Sequence, residues 1–249
     1  MSLKVRRALF LLAAVLSSAC GMSDPVEFST PGPVAADGDN ELAPAEAAAG
    51  WQLLFDGTSL QHWRSYNQAE PHTSWQAHNG VLVLTQGGGG DLITRTQWTD
   101  FELKLDWYIV AGGNSGIFFL ADESELPIYV HAPEIQLLDD ARHADRHKPN
   151  HRSGSLYDMI TAPPESQLPA EQWNTLRMHL QNRHLQVWQN EVQTVDIVLG
   201  SERWQALVAD SKFSDWSGFG DNLSGHIGLQ DHGDRVAFKN LKIRTLSVQ

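Results

Sequence analysis

The chain has 249 residues, and its 18 Lys and Arg against 30 Asp and Glu give a formal net charge of -12. Its content of 41% hydrophobic and 19% charged residues is typical of a globular protein and excludes a coiled coil or a wholly disordered chain. Because phosphate contacts need clustered positive charge, we expect no binding of nucleic acid.

The first predicted element is a targeting segment over residues 1–19. A positively charged start precedes the apolar stretch Ala8 to Leu16, which is too short to span a bilayer. Small residues then lead to Cys20, the only cysteine, which excludes an internal disulfide. The pattern resembles a bacterial lipoprotein signal, so we expect a lipid anchor at Cys20 and a periplasm-facing lipoprotein of the cell envelope, at the outer membrane. Plain secretory cleavage is the alternative.

Residues 20–49 are predicted to form a disordered tether. This stretch contains four prolines, six acidic residues and an alanine run, a composition that cannot bury a core. All nine tryptophans lie from Trp51 onward. The change in composition predicts one folded domain over residues 50–249, large enough to bury about 70% of its unfolded surface.

Within this domain the dominant hydrophobic period is two residues, which indicates β-strands. Phe101, Leu103 and Leu105, for example, alternate with polar or charged residues. Turn residues separate the other predicted strands, which are Val81–Thr85, Gly116–Ala121, Ile128–His131, Glu134–Leu138, Leu176–Leu180, Leu185–Val187, Gly225–Gln230 and Val236–Arg244. One helix is predicted from Glu202 to about Lys212, capped by Ser201. The pattern predicts an all-β protein, a two-sheet antiparallel jelly-roll sandwich with one short helix.

Two glycine-containing segments do not have the spacing of known catalytic motifs. The run Gly87–Gly90 has neither the Gly-Lys-Ser/Thr ending nor the following helix of a phosphate loop, so it is predicted to be a mobile loop. Gly113–Gly116 lacks the spacing of a nucleophile elbow and precedes a predicted strand rather than a helix.

Three polar segments could carry chemistry. In Pro133–Asp140 a period of two places Glu134 and Gln136 on one strand face and apolar residues on the other. The polar face is then the open face of the sandwich, although a solvated face with turn-forming aspartates is the alternative. The second segment is the His-rich loop 143–152, where a His-Asp pair could ligate a metal but solvated histidines are more common. The third segment, Gln230–Arg235, has two interpretations: it shapes a hairpin, or it forms part of a functional site.

The nine tryptophans exceed what packing of one core needs, so some of them are expected to be partly exposed. We expect Trp51, Trp63 and Trp107 in the core. Exposed tryptophan rings commonly stack on sugars, so the composition supports sugar binding on a concave sheet without identifying the sugar.

Seven segments in order span about residues 50–246: Gly50–Leu60, Gly90–Thr94, Asp100–Leu103, Gly112–Phe119, Pro133–Asp139, Gly154–Asp158 and Gly228–Gly233. Together they resemble the bacterial 3-keto-disaccharide hydrolase family. The resemblance implies a fold similar to concanavalin-A-like lectins and glucanases, in agreement with the predicted sandwich. It also implies hydrolase or lyase chemistry on glycosides already oxidised at C3, with a 3-keto-glycoside or related oligosaccharide as substrate.

The implied reaction assigns roles to particular residues. A 3-keto group makes the C2 proton acidic, so a base can remove it, the C1 substituent can leave by elimination, and water can add back. From the resemblance, Glu134 is the candidate base and His232 its acid–base partner, oriented by Asp231. Arg235 or Asn114 would stabilise anionic charge. The candidates for substrate contact are Gln136, Tyr157, Asp158 and, at the rim, Asp91 and Arg95.

Several alternatives stay open. No cofactor is firmly indicated, although a divalent metal ion could bind through Glu134, Asp139 and His143. A non-catalytic, lectin-like carbohydrate-binding module would explain the fold and the tryptophan content equally well. A calcium-stabilised adhesion sandwich would use the Asp-rich turns and predicts no pocket. A base and an acid such as Glu134 and His232, together with Arg235, favour the enzyme, because a lectin face needs aromatic rings and amides instead.

Overall fold

The computed structural model describes residues 32–247. The signal segment and Cys20 lie outside the described residues. The strands are β1 Gln52–Leu53, β2 Trp63–Ser65, β3 Trp75–His78, β4 Val81–Leu84, β5 Leu92–Thr94, β6 Phe101–Ile109, β7 Asn114–Ala121, β8 Glu134–Leu138, β9 Asn174–Gln181, β10 His184–Gln189, β11 Val192–Val198, β12 His226–Leu229 and β13 Val236–Thr245. The α-helices are α1 Pro44–Ala48 and α2 Glu202–Ala209, and single 3₁₀ turns occupy Ile128–Val130, Ala144–His147, Pro149–His151 and Pro164–Ser166.

The strands form two antiparallel sheets. The large sheet has the order β11-β10-β9-β6-β13-β4-β3, with β1 paired to β13, and the small sheet has the order β2-β5-β12-β7-β8. Apolar side chains between the sheets, including the fully buried Leu103, Trp107 and Ile135, form one hydrophobic core. The prediction of an all-β, two-sheet antiparallel sandwich is confirmed.

Strand β8 is the edge strand of the small sheet and carries the alternation predicted from the sequence. Ile135 and Leu137 are 0% exposed and belong to the main core, so Glu134 and Gln136 lie on the outer face of the small sheet. On that face a second apolar cluster contains Ile93, Phe118, Ala121, Ile128 and Ala132. The chain between β7 and β8 covers this cluster and thereby forms one wall beside Glu134.

The segment Ile128–His131, predicted to be a strand, is instead a 3₁₀ turn over Ile128–Val130. Its apolar residue Ile128 packs on the outer face of the small sheet without joining it. Because a short apolar run is buried in either conformation, periodicity alone could not distinguish the two.

Residues 32–49 contact the large sheet rather than forming the predicted tether. The backbone N–H of Asn40 donates to Asn240 Oδ1 over 2.7 Å, and the backbone N–H of Asn240 donates to Asn40 Oδ1 over 2.9 Å. Asp39 forms an ion pair with Lys239 at 2.6 Å. Polar contacts with the sheet thus hold a segment whose composition cannot form a core of its own.

The predicted helix is confirmed as α2, with the hydroxyl of Ser201 accepting a hydrogen bond from the amide of Trp204 at 3.2 Å. Trp204 is 3% exposed and anchors the helix to the core. The chain then leaves the helix after Ala209 and carries Lys212 to the outer face of the small sheet. Within residues 32–247, no helix is long and apolar enough to cross a membrane.

Candidate functional site

A cavity of ≈ 190 Å³ opens on the outer face of the small sheet. Its lining contains five of the predicted site residues, namely Asn114, Glu134, Gln136, Tyr157 and His232. Three further lining residues had no predicted role, namely Tyr129, Lys212 and Gln230. Strands β7, β8 and β12 form the floor, and loops before and after them supply the walls.

Gly116 makes room for the carboxyl group of Glu134 on the sheet. The two residues lie on adjacent strands, β7 and β8. A Cβ atom at position 116 would lie 2.7 Å from Glu134 Cδ and closer still to its Oε1, distances that real Cβ atoms do not tolerate. Glycine at this position therefore allows the side chain of Glu134 to lie over the sheet, where it is only 7% exposed.

Burial raises the pKa of Glu134 to about 8. The nearby charge of Lys212 and a hydrogen bond from Gln230 act in the opposite direction, and Asp91 adds to the increase. At neutral pH the carboxyl group is therefore mostly protonated, and it becomes a carboxylate near pH 8. A group that ionises close to neutrality can both accept and return a proton.

Gln136 connects Glu134 to the neighbouring strand. With the amide orientation assigned from its hydrogen-bond partners, its nitrogen lies within hydrogen-bond distance of three acceptors, namely Glu134 Oε1 at 3.1 Å, Asn114 Oδ1 at 3.3 Å and the Ser115 carbonyl at 2.9 Å. Gln136 and Asn114 are both buried. This network holds the Glu134 carboxyl group in place, so Gln136 has a positioning contact that the sequence did not predict.

Lys212 supplies the cation of the cavity. Its Nζ lies 4.2 Å from the centre of the Tyr157 ring, and its backbone amide donates to Asp158 Oδ2 over 2.8 Å. Loss of solvent lowers the pKa of Lys212, whereas the charges of Glu134 and Asp158 raise it. Burial, followed by the charge of Glu134, raises the pKa of Tyr157. The ammonium and carboxyl groups thus influence each other across one small space.

Asp158 holds the loops behind the cavity. Besides accepting from Lys212, its Oδ1 lies 2.8 Å from Nε2 of the buried His151. The His151 ring in turn packs on Tyr157, with ring centres 4.3 Å apart. Asp158 is absent from the cavity lining, so the structure supports positioning of Lys212 and Tyr157 rather than the predicted contact with substrate.

His232 is exposed at the mouth of the cavity. Its ring faces the edge of the His143 ring, with centres 6.3 Å apart. The Nδ1 atom of His143 accepts the backbone amide of Asp145 at 3.1 Å, which fixes the orientation of His143. His232 therefore lies where a group entering or leaving the cavity passes.

The prediction that Asp231 orients His232 is not supported by its contacts. Asp231 Oδ2 accepts hydrogen bonds from the backbone amides of Gly88, Gly89 and Gly90 at 2.9, 2.8 and 3.0 Å. Its Oδ1 accepts the amide of Gly233 at 3.0 Å. Because these backbone amides use both oxygens, the carboxylate orders the glycine run, which the sequence predicted to be a mobile loop.

The remaining predicted residues lie outside the cavity lining. Asp91 accepts a hydrogen bond from the backbone N–H of Asp231 at 2.9 Å, and burial raises the pKa of Asp91 to about 6. Arg95 is exposed and pairs with Glu70 at 2.7 Å. Burial lowers the pKa of Arg235. Arg235 was expected to supply positive charge, but Lys212 takes this position in the cavity.

The predicted metal ligands are not brought together. Across residues 32–247, no group of three or more His, Cys, Asp or Glu side chains has an arrangement that could hold a metal ion. Asp139 accepts the amides of Gly112 at 2.6 Å and Ala141 at 2.9 Å, and it thereby shapes the turns at the end of β8. Glu134, Asp139 and His143 thus do not fit a divalent ion as a set.

Comparisons with known proteins identify the family and the fold of the chain. A family described as a 3-keto-alpha-glucoside-1,2-lyase-like domain matches residues 50–244. A 3-keto-disaccharide hydrolase of Bacteroides thetaiotaomicron is 35% identical across 85% of this chain and 83% of the relative. A crystal structure of a predicted glycosyl hydrolase from Parabacteroides distasonis ATCC 8503 has a TM-score of 0.79 at 29% identity, covering 84% of this chain and 100% of that one. A second structure from the same organism, at 24% identity and a TM-score of 0.63, shares the fold across 79% of this chain and 99% of that one.

Proposed function

Because the chain belongs to the 3-keto-α-glucoside-1,2-lyase-like family, we propose that it cleaves the glycosidic bond of 3-keto disaccharides by elimination at C1 followed by hydration. One observation carries the proposal. The buried carboxyl group of Glu134, with its pKa raised to about 8, shares a cavity with the cationic Lys212 and with His232. A lectin face has no need for a carboxyl group held in this environment, whereas proton abstraction beside a carbonyl requires a base whose pKa is raised.

The first step is removal of the C2 proton by the carboxylate of Glu134. The electron pair of the C2–H bond moves into a C2=C3 double bond, and the C3 oxygen becomes negatively charged. The ammonium group of Lys212 faces the same cavity and stabilises this enolate. Asn114 and Gln230 line the floor and supply amide groups for the hydroxyls of the ring.

In the second step the enolate reforms the C3 carbonyl and the bond from C1 to the leaving oxygen breaks, which leaves a C1=C2 double bond. His232 at the mouth gives a proton to the leaving oxygen. Water then adds its oxygen to C1 and transfers one proton to His232, which restores the acid, while Glu134 returns its proton to C2. The sum of the steps consumes one water molecule and yields a 3-keto sugar and a free alcohol.

The decisive experiment compares a 3-keto disaccharide with its unoxidised parent in one incubation, with products followed by mass spectrometry. We expect the wild-type protein to consume only the oxidised sugar. Glu134→Gln should still bind it but lose turnover by about 10²–10⁴-fold, and exchange of the C2 proton with deuterated water should stop. His232→Ala should retain this exchange while slowing loss of the leaving group. Glu165→Gln, at an exposed position of a 3₁₀ turn, is the matched control.

Two results would contradict these assignments. Turnover retained in Glu134→Gln would move the base to another residue. Wild-type protein that leaves the 3-keto disaccharide intact and binds unoxidised sugars would instead be a lectin-like module.

A lipid anchor in the cell envelope is a separate part of the proposal. The short apolar segment before Cys20 supports it, because this segment is too short to span a bilayer. The full-length protein should incorporate labelled fatty acid and fractionate with outer membranes. Labelling that persists in Cys20→Ala, or a wild-type protein that stays wholly in the soluble periplasmic fraction, would contradict the anchor.

A further inference from the structure

The cavity around Glu134 is too small for a whole disaccharide. Its volume is ≈ 190 Å³, whereas cavities that enclose drug-sized ligands measure about 300–1,000 Å³. One pyranose ring is the unit that such a space accepts. In a disaccharide substrate the second ring must therefore lie beyond the mouth of the cavity.

A pair of stacked aromatic rings leads out of this cavity. Tyr129 lines the cavity and is 40% exposed. Its ring stacks on Trp216 with centres 5.8 Å apart and an interplanar angle of 27°. Trp216 also lines a second, more open depression of ≈ 330 Å³. The two rings thus form a continuous apolar surface from the reacting centre to the neighbouring depression.

This aromatic pair is supported by the core. The Trp216 ring meets Phe213 edge-on at 5.1 Å, and Phe213 stacks on Phe219 at 3.9 Å. Both phenylalanines are buried members of the main core. A ring held in this way binds a ligand with little loss of side-chain entropy.

The polar groups around the depression suit a neutral sugar. Glu125, His131, Asp215 and Ser217 line it beside Trp216. Carboxylates and hydroxyls accept hydrogen bonds from sugar hydroxyls, while an aromatic ring packs on the C–H face of a sugar. With two acidic side chains and no Lys or Arg in its lining, this depression disfavours an anionic sugar such as a uronic acid.

The other exposed tryptophans do not offer a comparable surface. Trp173 and Trp188 are the remaining partly exposed tryptophans among residues 32–247. A cation covers each of their rings, with Lys239 Nζ 4.7 Å from the centre of Trp173 and Arg177 Cζ 4.6 Å from the centre of Trp188. Lys212 Nζ lies farther from the Trp216 ring, 5.9 Å from its centre. Trp216 is also the partly exposed tryptophan among residues 32–247 that stacks on Tyr129 of the cavity lining.

We propose that Tyr129, Trp216 and Asp215 form a subsite for the second, departing sugar of the 3-keto disaccharide, and that this sugar is neutral. The inference rests on the proposed function for the identity of the first ring. The subsite adds to that function the position at which the departing sugar binds and a preference for an uncharged sugar there.

The test uses a 3-keto disaccharide with a neutral second ring and the matching methyl 3-keto-glycoside, which has only one ring. Specificity is the ratio of the two kcat/KM values. Trp216→Ala should lower this ratio about 2- to 10-fold, as expected for loss of aromatic packing, and Trp216→Phe should keep most of it. Because Trp216 also contacts the core, the exposed Asp215→Ala gives an independent test, and it should lower the ratio as well. Trp188→Ala and Asp210→Ala are the matched controls and should leave the ratio unchanged.

A third substrate, with a uronic acid as the second ring, tests the charge preference. Its kcat/KM should be lower than that of the neutral disaccharide, and Asp215→Ala should reduce the difference between these two kcat/KM values. Equal decreases in kcat/KM for the one-ring and the two-ring substrate in Trp216→Ala and in Asp215→Ala would overturn the subsite. So would a uronic acid that reacts as fast as the neutral sugar.

Failure of the proposed function gives a different result. If wild-type protein cleaves neither substrate, calorimetric titration with each of them still measures the contribution of the second ring to binding. Tighter binding of the disaccharide that weakens in Trp216→Ala would keep the subsite without catalysis. Equal affinity of wild-type protein for both ligands would overturn it.

Discussion

Replacing Glu134 with Gln is expected to stabilise the protein progressively as the pH rises. Glu134 is 7% exposed, and burial raises its pKa from 4.5 to about 8. The folded protein therefore keeps this proton at pH values where the unfolded chain has released it. The stability associated with the protonated group is fully present below about pH 4.5 and is lost as the pH rises towards 8. Glutamine carries no titrating proton and does not lose stability in this way.

The size of the effect follows from the width of this pH window. For one proton bound by the folded state alone, each pH unit changes the free energy of unfolding by about 1.4 kcal/mol. Two units, from pH 5 to pH 7, therefore change it by about 3 kcal/mol. Burial also raises the pKa values of Asp91 and Asp140 to about 6, so the wild-type curve alone is not diagnostic. The difference between Glu134→Gln and wild type largely removes these other titrations.

Urea denaturation followed by tryptophan fluorescence at pH 5, 6, 7 and 8 measures this difference. The free-energy advantage of Glu134→Gln over wild type should grow by about 3 kcal/mol between pH 5 and pH 7. Glu165→Gln, at an exposed position, should show no such growth. An advantage of constant size at every pH would mean that Glu134 titrates normally. That result would refute the buried acid and remove the main argument for its role as the base.

In pH–rate profiles, kcat/KM for a 3-keto disaccharide should rise with pH up to about 8, because the base acts as a carboxylate; a fall across this range would make Glu134 the acid. Gly116→Ala should leave the fold intact by circular dichroism but lower turnover about 100-fold, since its Cβ displaces the Glu134 carboxyl group; unchanged turnover would contradict this packing. A chain that begins at Trp51 should lose about 3 kcal/mol in urea denaturation, because the Asn40–Asn240 and Asp39–Lys239 contacts disappear; equal stability would make residues 32–49 the predicted tether.

The sandwich and the floor of the cavity could be predicted because local burial determines them. In β8, Ile135 and Leu137 must face the core, so Glu134 and Gln136 must face outward whatever the rest of the chain does. The same reasoning holds for β6, whose apolar residues are all buried. Where apolar residues alternate with polar ones, the face that each side chain takes follows directly from the sequence.

The walls of the cavity could not be predicted in this way. Lys212 stood at the end of the predicted helix, where a lysine ordinarily meets the helix dipole and solvent. Its place over Tyr157 depends on Asp158, whose carboxylate binds the Lys212 amide from 54 positions away. Such contacts join loops that are distant in sequence and leave no periodic signal. Tyr129 was missed for a related reason, since its segment was expected to lie in a strand.

Proximity in sequence also misled the assignment of roles. Asp231 and Arg235 flank His232 closely, yet the Asp231 carboxylate is occupied by backbone amides and Arg235 lies outside the cavity lining. In a tight turn, successive side chains point in different directions, and glycine amides compete for any nearby carboxylate. The order of residues in a motif therefore says less about their roles than the partners of each polar atom.

The position of Glu134 links the stability of the fold to its chemistry. A carboxyl group in solution, with a pKa near 4.5, would be a weak base for a carbon-bound proton, and burial makes it a stronger one. The same burial opposes ionisation, so it reduces stability wherever the base is active. Lys212 reduces this loss of stability, because its charge favours the carboxylate. The same charge later favours the enolate. A variant with a neutral side chain at position 212 should therefore raise the pKa of Glu134 further and shift the rising limb of the rate profile to higher pH. Loss of rate without that shift would limit Lys212 to binding the enolate.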